Sequence, residues 1–458
     1  MEPRIFSPRA TLDTWAHRLR AIQRHALRYS APAPRSLCYG QGGARRRAAQ
    51  TDTANATSGA SLRAFAWVAR AATQASLREY AVPLAIVLAI ACSARLVWVV
   101  FSDWQPAFDD DAFRYDFAAR ALIEGRGYVH LDGAPTAFWP PGYPLLLAAA
   151  YAVFGEAVAV AQALNVALAT ATVALVYLIG RRTVGPRPAL VGAGIVALFP
   201  SLIFFTAVTL SEVTFTFLAL LAVYLLVVDA QGSRERDPSA GSGRSLRLLF
   251  AAGLVLGFAS LVRGQALLLP VVLIPFWLLA GIQWPRIADK LVVLALGIGL
   301  IVAPWTVRNA MELDSPVLIS TNAGVDFWIG HNAEAAGNFG RAGGEELVLR
   351  YPELETAERE VRVNREGFRE GLAYAATHPA QELLLPVKKL FWLYYNDEEG
   401  LKWNEGHGGQ AFLSSGMREA LLSLSNVYYF AVLGLVLLGA PRWFSLRRPG
   451  PLLLLSLV

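Results

Sequence analysis

The sequence predicts an all-α polytopic membrane protein, and three observations carry that expectation. Apolar residues make up 55% of the 458-residue chain, charged residues only 17%, and mean hydropathy is +0.41. Soluble globular chains are nearer ~25% charged. Charge-poor runs recur with lengths close to the ~20 residues a helix needs to cross a bilayer core. Lys and Arg collect in alternate short connections between those runs. A soluble enzyme, a disordered scaffold and a secreted disulfide-bonded protein are therefore excluded. Cys38 and Cys92 make neither a disulfide framework nor a zinc spacing, and the six His are scattered, so no metal site can be read from them, although the outer acids could bind one.

Residues 1–80 come first, rich in Arg, with Arg45-Arg46-Arg47 as the densest point. They carry most of the basic excess behind the net charge of +6. No clean apolar period runs through them, so they read as a disordered cytoplasmic extension lying near an anionic leaflet, not as a nucleic-acid arm. Apolar spans are expected at 82–101, 157–179, 189–206, 213–228, 248–262, 266–282, 290–304 and 422–440. A ninth begins near 450, and its interruption at Val458 suggests truncation. With residues 1–80 inside, alternation puts Arg181, Arg182, Arg187, Arg234, Arg236, Arg244, Arg247, Arg286, Lys290, Arg442, Arg447 and Arg448 on the inner side. One missed crossing would flip every later loop, so this agreement supports the count. The domain plan is an extension (1–80), a transmembrane bundle (81–304) with a first outer loop at 102–156, a large outer loop (305–420) and C-terminal spans (421–458).

Both outer loops are acidic. The first opens with Asp109-Asp110-Asp111-Ala112-Phe113-Arg114-Tyr115. Neighbouring carboxylates at a membrane surface repel one another and lose hydration, which raises pKa values and suits one of them to be a general base. Good helix formers follow up to Gly125, so Asp110 or Asp111 is an N-cap, and Asp111, Arg114 and Tyr115 share one helix face. An exposed cap with no chemistry is the competing interpretation. Trp139-Pro140-Pro141-Gly142-Tyr143-Pro144 breaks any helix, and the short apolar run 145–154 reads as an interfacial or re-entrant helix. Glu212 and Arg263 fall at outer span boundaries, where Arg263 would either pair with Glu212 or hold a ligand phosphate. The mix of amides, imidazole and aromatics at Asn322, Trp328, His331 and Asn332 suits sugar binding as well as a plain folded loop. Residues 355–376 read as a surface helix and 379–395, with Lys388-Lys389, as a second interfacial one.

Together these residues resemble the GT-C class of membrane glycosyltransferases, and most closely family 39. That family includes the protein O-mannosyltransferases and the bacterial aminoarabinose transferases of lipid A. Asp111-Ala-Phe-Arg114-Tyr115, followed by Ala118 and Leu122, is similar to the family's Asp-x-x-Arg-Tyr helix. Pro140-Pro141-Gly142-Tyr143, then Phe154-Gly155, is similar to its Pro-Pro-x-Tyr…Phe-Gly segment. Pro304–Asn309 and Gly330-His331-Asn332 resemble the long outer loop of bacterial members, and the likeness covers about residues 82–440.

The resemblance implies a GT-C-like helix bundle with two long outer loops and interfacial helices. It implies inverting transfer of a sugar from a polyprenyl-phosphate donor to a lipid, glycan or protein acceptor on the outer face, without a further cofactor. Asp111 would be the catalytic carboxylate, with Asp110 as the fallback and Glu212 as a second acidic group. Arg114 and Tyr115 would contact donor phosphate or acceptor. The aminoarabinose enzymes carry Lys before the proline pair, where this chain has Trp139, so the phosphate is expected to meet Arg114, Arg263 or Arg308. The rival reading is a polytopic transporter or lipid flippase. It fits less well, because the acidic residues cluster in outer loops and no repeated half is visible.

Overall fold

The computed structural model of the protein describes residues 79–108, 110–234, 243–338, 341–406 and 411–444. Asp109, nearly all of the basic extension and the ninth span lie outside the described residues. Among the described residues every regular element is a helix, apart from an isolated bridge between Val129 and Pro135.

Among the described residues six helices are long and apolar enough to cross a membrane, making this a multi-pass membrane protein. They are α1 (Glu79–Ser102), α4 (Val158–Thr183), α7 (Glu212–Arg234), α8 (Gly243–Val262), α10 (Trp284–Glu312) and α16 (Ser415–Phe444). Two of the eight expected spans before residue 440 are not of this kind. The run 189–206 divides into α5 (Pro186–Ala197) and α6 (Pro200–Phe204). Pro200 has no N–H to continue the helix and holds Phe199 in an extended conformation. The run 266–282 becomes a 3-10 turn (Gly264–Leu268) followed by α9 (Leu269–Leu279), which begins with a proline in its first turn and contains Pro275. The rises of the two helix types bring this segment to about 26 Å, short of the ~30 Å hydrocarbon core.

The bundle buries a seam and leaves its outside apolar. Ala222, Val223 and Leu226 of α7, Leu249, Ala252 and Leu256 of α8, Leu273 of α9, and Ile287 and Leu294 of α10 form one core. Asp229 of α7, only 2% exposed, braces this seam by accepting hydrogen bonds from Lys290 Nζ of α10 at 2.6 Å and from the Ser245 hydroxyl of α8. Exposed Val97, Val100, Leu437 and Leu438 on α1 and α16 face outward, as lipid-facing side chains do. Arg95 sits inside α1 and is 1% exposed; its guanidinium donates to the Ala197 and Val196 carbonyls at the broken end of α5, at 2.9 and 3.3 Å.

The remaining helices gather at one end of the bundle, the end where α1, α8 and α10 finish and α4 and α7 begin. They are α2 (Asp111–Ile123), α3 (Gly142–Phe154), α11 (Asn322–Gly330), α12 (Arg341–Leu349), α13 (Thr356–Thr377), α14 (Pro379–Tyr394) and α15 (Glu399–Glu405). Pro304–Asn309, expected as loop, is helical and belongs to α10. The helix expected at 355–376 is present as α13, but it is not purely a surface helix: Glu360, Val363 and Glu366 are buried. Most of the large apolar side chains of α14 are exposed, including Leu383, Val387 and Leu393.

Candidate functional site

Asp110 caps α2, its side chain accepting from the Asp111 amide at 2.9 Å. Asp111 is then the first helical residue, and its Oδ1 accepts the Trp139 indole N–H at 3.2 Å. Trp139 is carried there by the proline pair that opens α3. The next residue, Gly142, lies so close to α8 that a Cβ would stand 2.6 Å from the Leu261 carbonyl carbon and 2.7 Å from the Val262 nitrogen. Only glycine lets α3 approach this closely. α2 is fixed on α3 by Tyr151, which donates to Asp116 at 2.6 Å, and by Arg120, which bridges Asp116 and Glu156 at 2.7 and 2.9 Å.

Glu212 opens α7 and Arg263 follows the last residue of α8, so each charge lies at the helix end whose dipole favours it. They form an ion pair, and Arg263 Nε also donates to the Ser211 hydroxyl at 3.0 Å. Asp326, on α11, completes the cluster. Burial raises its carboxyl to about 6, with Asp111 adding to the rise and Arg263 opposing it. Asp111 is raised for the same first reason, loss of hydration; Asp110 and Glu212 add to it, while the Trp139 hydrogen bond and Arg263 oppose it. Both aspartates nonetheless keep solvent contact. They are crowded by protein yet open on one side, which is the setting of a reactive carboxylate that a ligand can reach.

The structure separates the other sequence-derived candidates. Arg114 stands 5.5 Å over the Trp139 ring, with Nη1 at 3.3 Å from His130 Nε2. Burial and Arg114 both lower the His130 pKa, so a neutral imidazole accepts this bond. Tyr115 shares the helix with Asp111 but is 8% exposed and packs edge-on against Tyr143, and its hydroxyl pKa is raised by burial. It reads as a wall of the site more than as a ligand contact. Arg308 is turned into the protein, donating to the Thr136 and Tyr128 carbonyls, each at 2.7 Å, and covering the Trp305 ring. Asn322 accepts from the Ser320 hydroxyl at 2.7 Å, and its amide donates to the Phe138 carbonyl, so it joins the first outer loop to α11. His331 stacks on Phe327 and pairs with Glu382 of α14 at 2.8 Å. Asn332 folds back on the Trp328 carbonyl at 2.8 Å and accepts the Glu334 amide, closing the end of α11; Trp328 packs beside the Val325 and Ile329 core.

Asp326 escaped the sequence reading, although a lone carboxylate in the apolar run Val325-Asp326-Phe327-Trp328-Ile329 was a usable signal. Among the described residues no three carboxylate, imidazole or thiol groups stand close enough to share a metal ion.

The family model for dolichyl-phosphate-mannose-protein mannosyltransferase matches residues 139–307. A search of curated proteins gives no match to this sequence. Among solved structures, the archaeal oligosaccharyltransferase AglB from Archaeoglobus fulgidus, in complex with an inhibitory peptide and a dolichol-phosphate, is 17% identical with a TM-score of 0.50. The likeness covers 83% of this chain and 47% of that one, so the chain spans about half the length of AglB. ArnT from Cupriavidus metallidurans, bound to undecaprenyl phosphate, is 17% identical over 81% of this chain and 75% of its own, with a TM-score of 0.42. The chain thus has the GT-C fold of membrane glycosyltransferases, and its stretch from Trp139 to Val307 matches the mannosyltransferase family model.

Proposed function

We propose that the protein is an integral-membrane glycosyltransferase that moves a sugar from a polyprenyl-phosphate donor to a hydroxyl acceptor on a lipid, glycan or protein. The observation that supports this most directly is the meeting of Asp111, Glu212, Arg263 and Asp326 at one end of a GT-C bundle. That end is opposite the end holding Arg181, Arg182, Arg286 and Lys290. By the positive-inside rule the acidic cluster faces the outer side, where the phosphate of a membrane-anchored donor would lie at the same depth.

The chemistry is one displacement at the anomeric carbon. Asp111, its pKa raised by burial and its ionised carboxylate open to solvent, takes the proton of the acceptor hydroxyl as its oxygen forms the new glycosidic bond. The bond between the anomeric carbon and the phosphate oxygen breaks, and the lipid phosphate leaves with the electron pair. One direct displacement inverts the anomeric configuration. Arg114 and Arg263 supply the positive field for the departing phosphate, the larger electrostatic contribution. Asp326 is the second carboxylate of the pair. Arg308 takes no part in this reading, because its guanidinium holds backbone carbonyls.

The test replaces Asp111 with Asn. Membranes holding wild-type or variant protein at equal expression are given radiolabelled polyprenyl-phosphate sugars, and covalent label on lipid, glycan and protein is measured. A positioned general base contributes about 10²–10⁴-fold, so transfer should fall by at least that lower bound. Wild-type transfer by the variant removes Asp111 from the mechanism. Uptake of label into sealed vesicles with no covalent product favours a transporter.

A further inference from the structure

The first outer segment reaches Asp111 through residues 136–139, and a single carboxylate on α13 grips the start of that segment. Glu360 is 7% exposed. Its Oε1 accepts the Ala137 amide at 2.8 Å and its Oε2 accepts the Thr136 hydroxyl at 2.7 Å. The Thr136 hydroxyl oxygen in turn accepts the Phe138 amide at 3.0 Å. On the other side of the segment, the Thr321 amide donates to the Ala137 carbonyl at 2.9 Å and the Asn322 amide to the Phe138 carbonyl at 3.3 Å. This short ladder joins the segment to the start of α11, the helix that carries Asp326. α11 rests on α13 at a glycine contact so close that a Cβ on Gly324 would stand 2.0 Å from the Asn364 carbonyl oxygen. The Tyr128 hydroxyl, 3.1 Å from the Trp139 carbonyl, holds the far end.

We propose that Glu360 is a positioning residue, which holds Trp139 against Asp111 and α11 beside it by clamping the 136–138 backbone. This rests on the reading of Asp111 and Asp326 as the reactive pair. The groups that face Glu360 are the guanidinium of Arg308 from α10, the Tyr128 hydroxyl from the first outer loop, and the Thr136 and Thr321 side chains. Arg308 and the hydrogen bonds favour the ionised form, yet burial outweighs them and lifts the carboxyl to about 7. The neutral acid keeps the same geometry: its carbonyl oxygen accepts from Ala137 and its O–H points at Thr136. An opened clamp exposes Glu360 to water, where it ionises near 4.5. The closed clamp therefore binds the proton more tightly than the open one. Its stability is fully present below about 4.5 and is lost by up to tenfold per pH unit as pH rises to about 7, then levels off.

The experiment is amide hydrogen exchange on the full-length protein in lipid nanodiscs between pH 4.5 and 8.5, corrected for intrinsic rates. In the wild type, opening at the Ala137 and Thr321 amides should rise with pH up to about 7. Glu360→Gln, an isostere of the neutral acid, should flatten that profile while keeping the amides protected, and Glu360→Ala should expose them at every pH. A flat wild-type profile, a sloping Gln profile or protected amides in the Ala variant overturns the clamp. The link to the site is read by fluorine NMR of 5-fluorotryptophan, with the Trp139 signal assigned by Trp139→Phe. The Trp139 signal of Glu360→Ala should move toward its position in Asp111→Asn; an unmoved signal overturns the positioning role. Neither readout uses sugar transfer, so loss of the transferase reading leaves both interpretable.

Discussion

Arg95 provides a demanding test of how the bundle tolerates a broken helix. Its guanidinium is buried among α1 and α5 and donates to the carbonyls of Ala197 and Val196, where α5 stops three residues before Pro200. Helix ends leave their last carbonyls without intrahelical donors, and water in a bilayer interior cannot replace them. Arg95→Met keeps much of the apolar stem but strips both carbonyls of this cation. The Val196 carbonyl keeps the Phe199 amide as a donor, so the Ala197 carbonyl is the acceptor left bare, at a cost of about 1–3 kcal/mol. Relief of the desolvated guanidinium offsets part of that cost, so a net loss of about 1–2 kcal/mol is expected. Arg95→Lys keeps one charge and three donors and should lie between the two. The assay is thermal unfolding of purified protein in detergent, followed by loss of the monodisperse size-exclusion peak. With an unfolding entropy of about 2.1 cal/mol/K per residue over 458 residues, the Met variant should melt about 1–2 °C lower. Equal melting of Arg95→Met and wild type would refute the idea that this cation supports the end of α5. The cavity beside it is lined by Arg95, Thr172 and Glu212. Arg95 Nε and Glu212 Oε2 have no protein hydrogen-bond partner there, so the same loss should reach the acidic cluster and lower transfer as well.

Two other outcomes follow from the site. Gly142→Ala puts a methyl group into the backbone of Leu261 and Val262; overpacking of this kind costs about 1–3 kcal/mol, and the same melting assay should show it, whereas Gly155→Ala, with nothing near its Cβ, reports only backbone strain. Transfer should be lost as pH falls and rise as Asp111 ionises, at a pH above the usual carboxylate range, because burial raises its pKa and it must be ionised to accept a proton. Asp326→Asn should lower the midpoint of that rise by removing a neighbouring negative charge, and an unchanged pH profile would separate Asp326 from the chemistry.

Much of the architecture was legible because bilayer physics writes itself into composition. The spans at 82–101, 157–179, 213–228, 248–262, 290–304 and 422–440 needed only length and charge, and the structure lengthens each, most of all 290–304, which becomes Trp284–Glu312. The breaks at Pro200 and around Pro270 and Pro275 were legible too, but a hydropathy window averages over them while the backbone cannot. The Asp110 cap and the start of α2 followed from local chemistry that needs no distant partner. The Glu212–Arg263 ion pair was one of two outcomes left open for Arg263, because both residues mark helix ends at the same depth. Arg308 and Asn332 were misleading for a common reason: a polar side chain near an outer loop looks alike in sequence whether it meets ligand or backbone. Arg308 reaches carbonyls more than 170 positions away, and no local pattern encodes that. Glu360 illustrates the reverse case. In the string of charges on α13 it is indistinguishable from its solvated neighbours, and only the fold makes it a buried acid.

The stunted segment Gly264–Leu279 begins immediately after Arg263. A bilayer in contact with a wall a few ångströms too low must dimple to meet it, at a cost of only fractions of a kcal/mol for each ångström. The depression would form beside the guanidinium that pairs with Glu212. An isoprenoid carrier drifting in the leaflet would have its polar head lowered toward the acidic cluster before any protein group had grasped it.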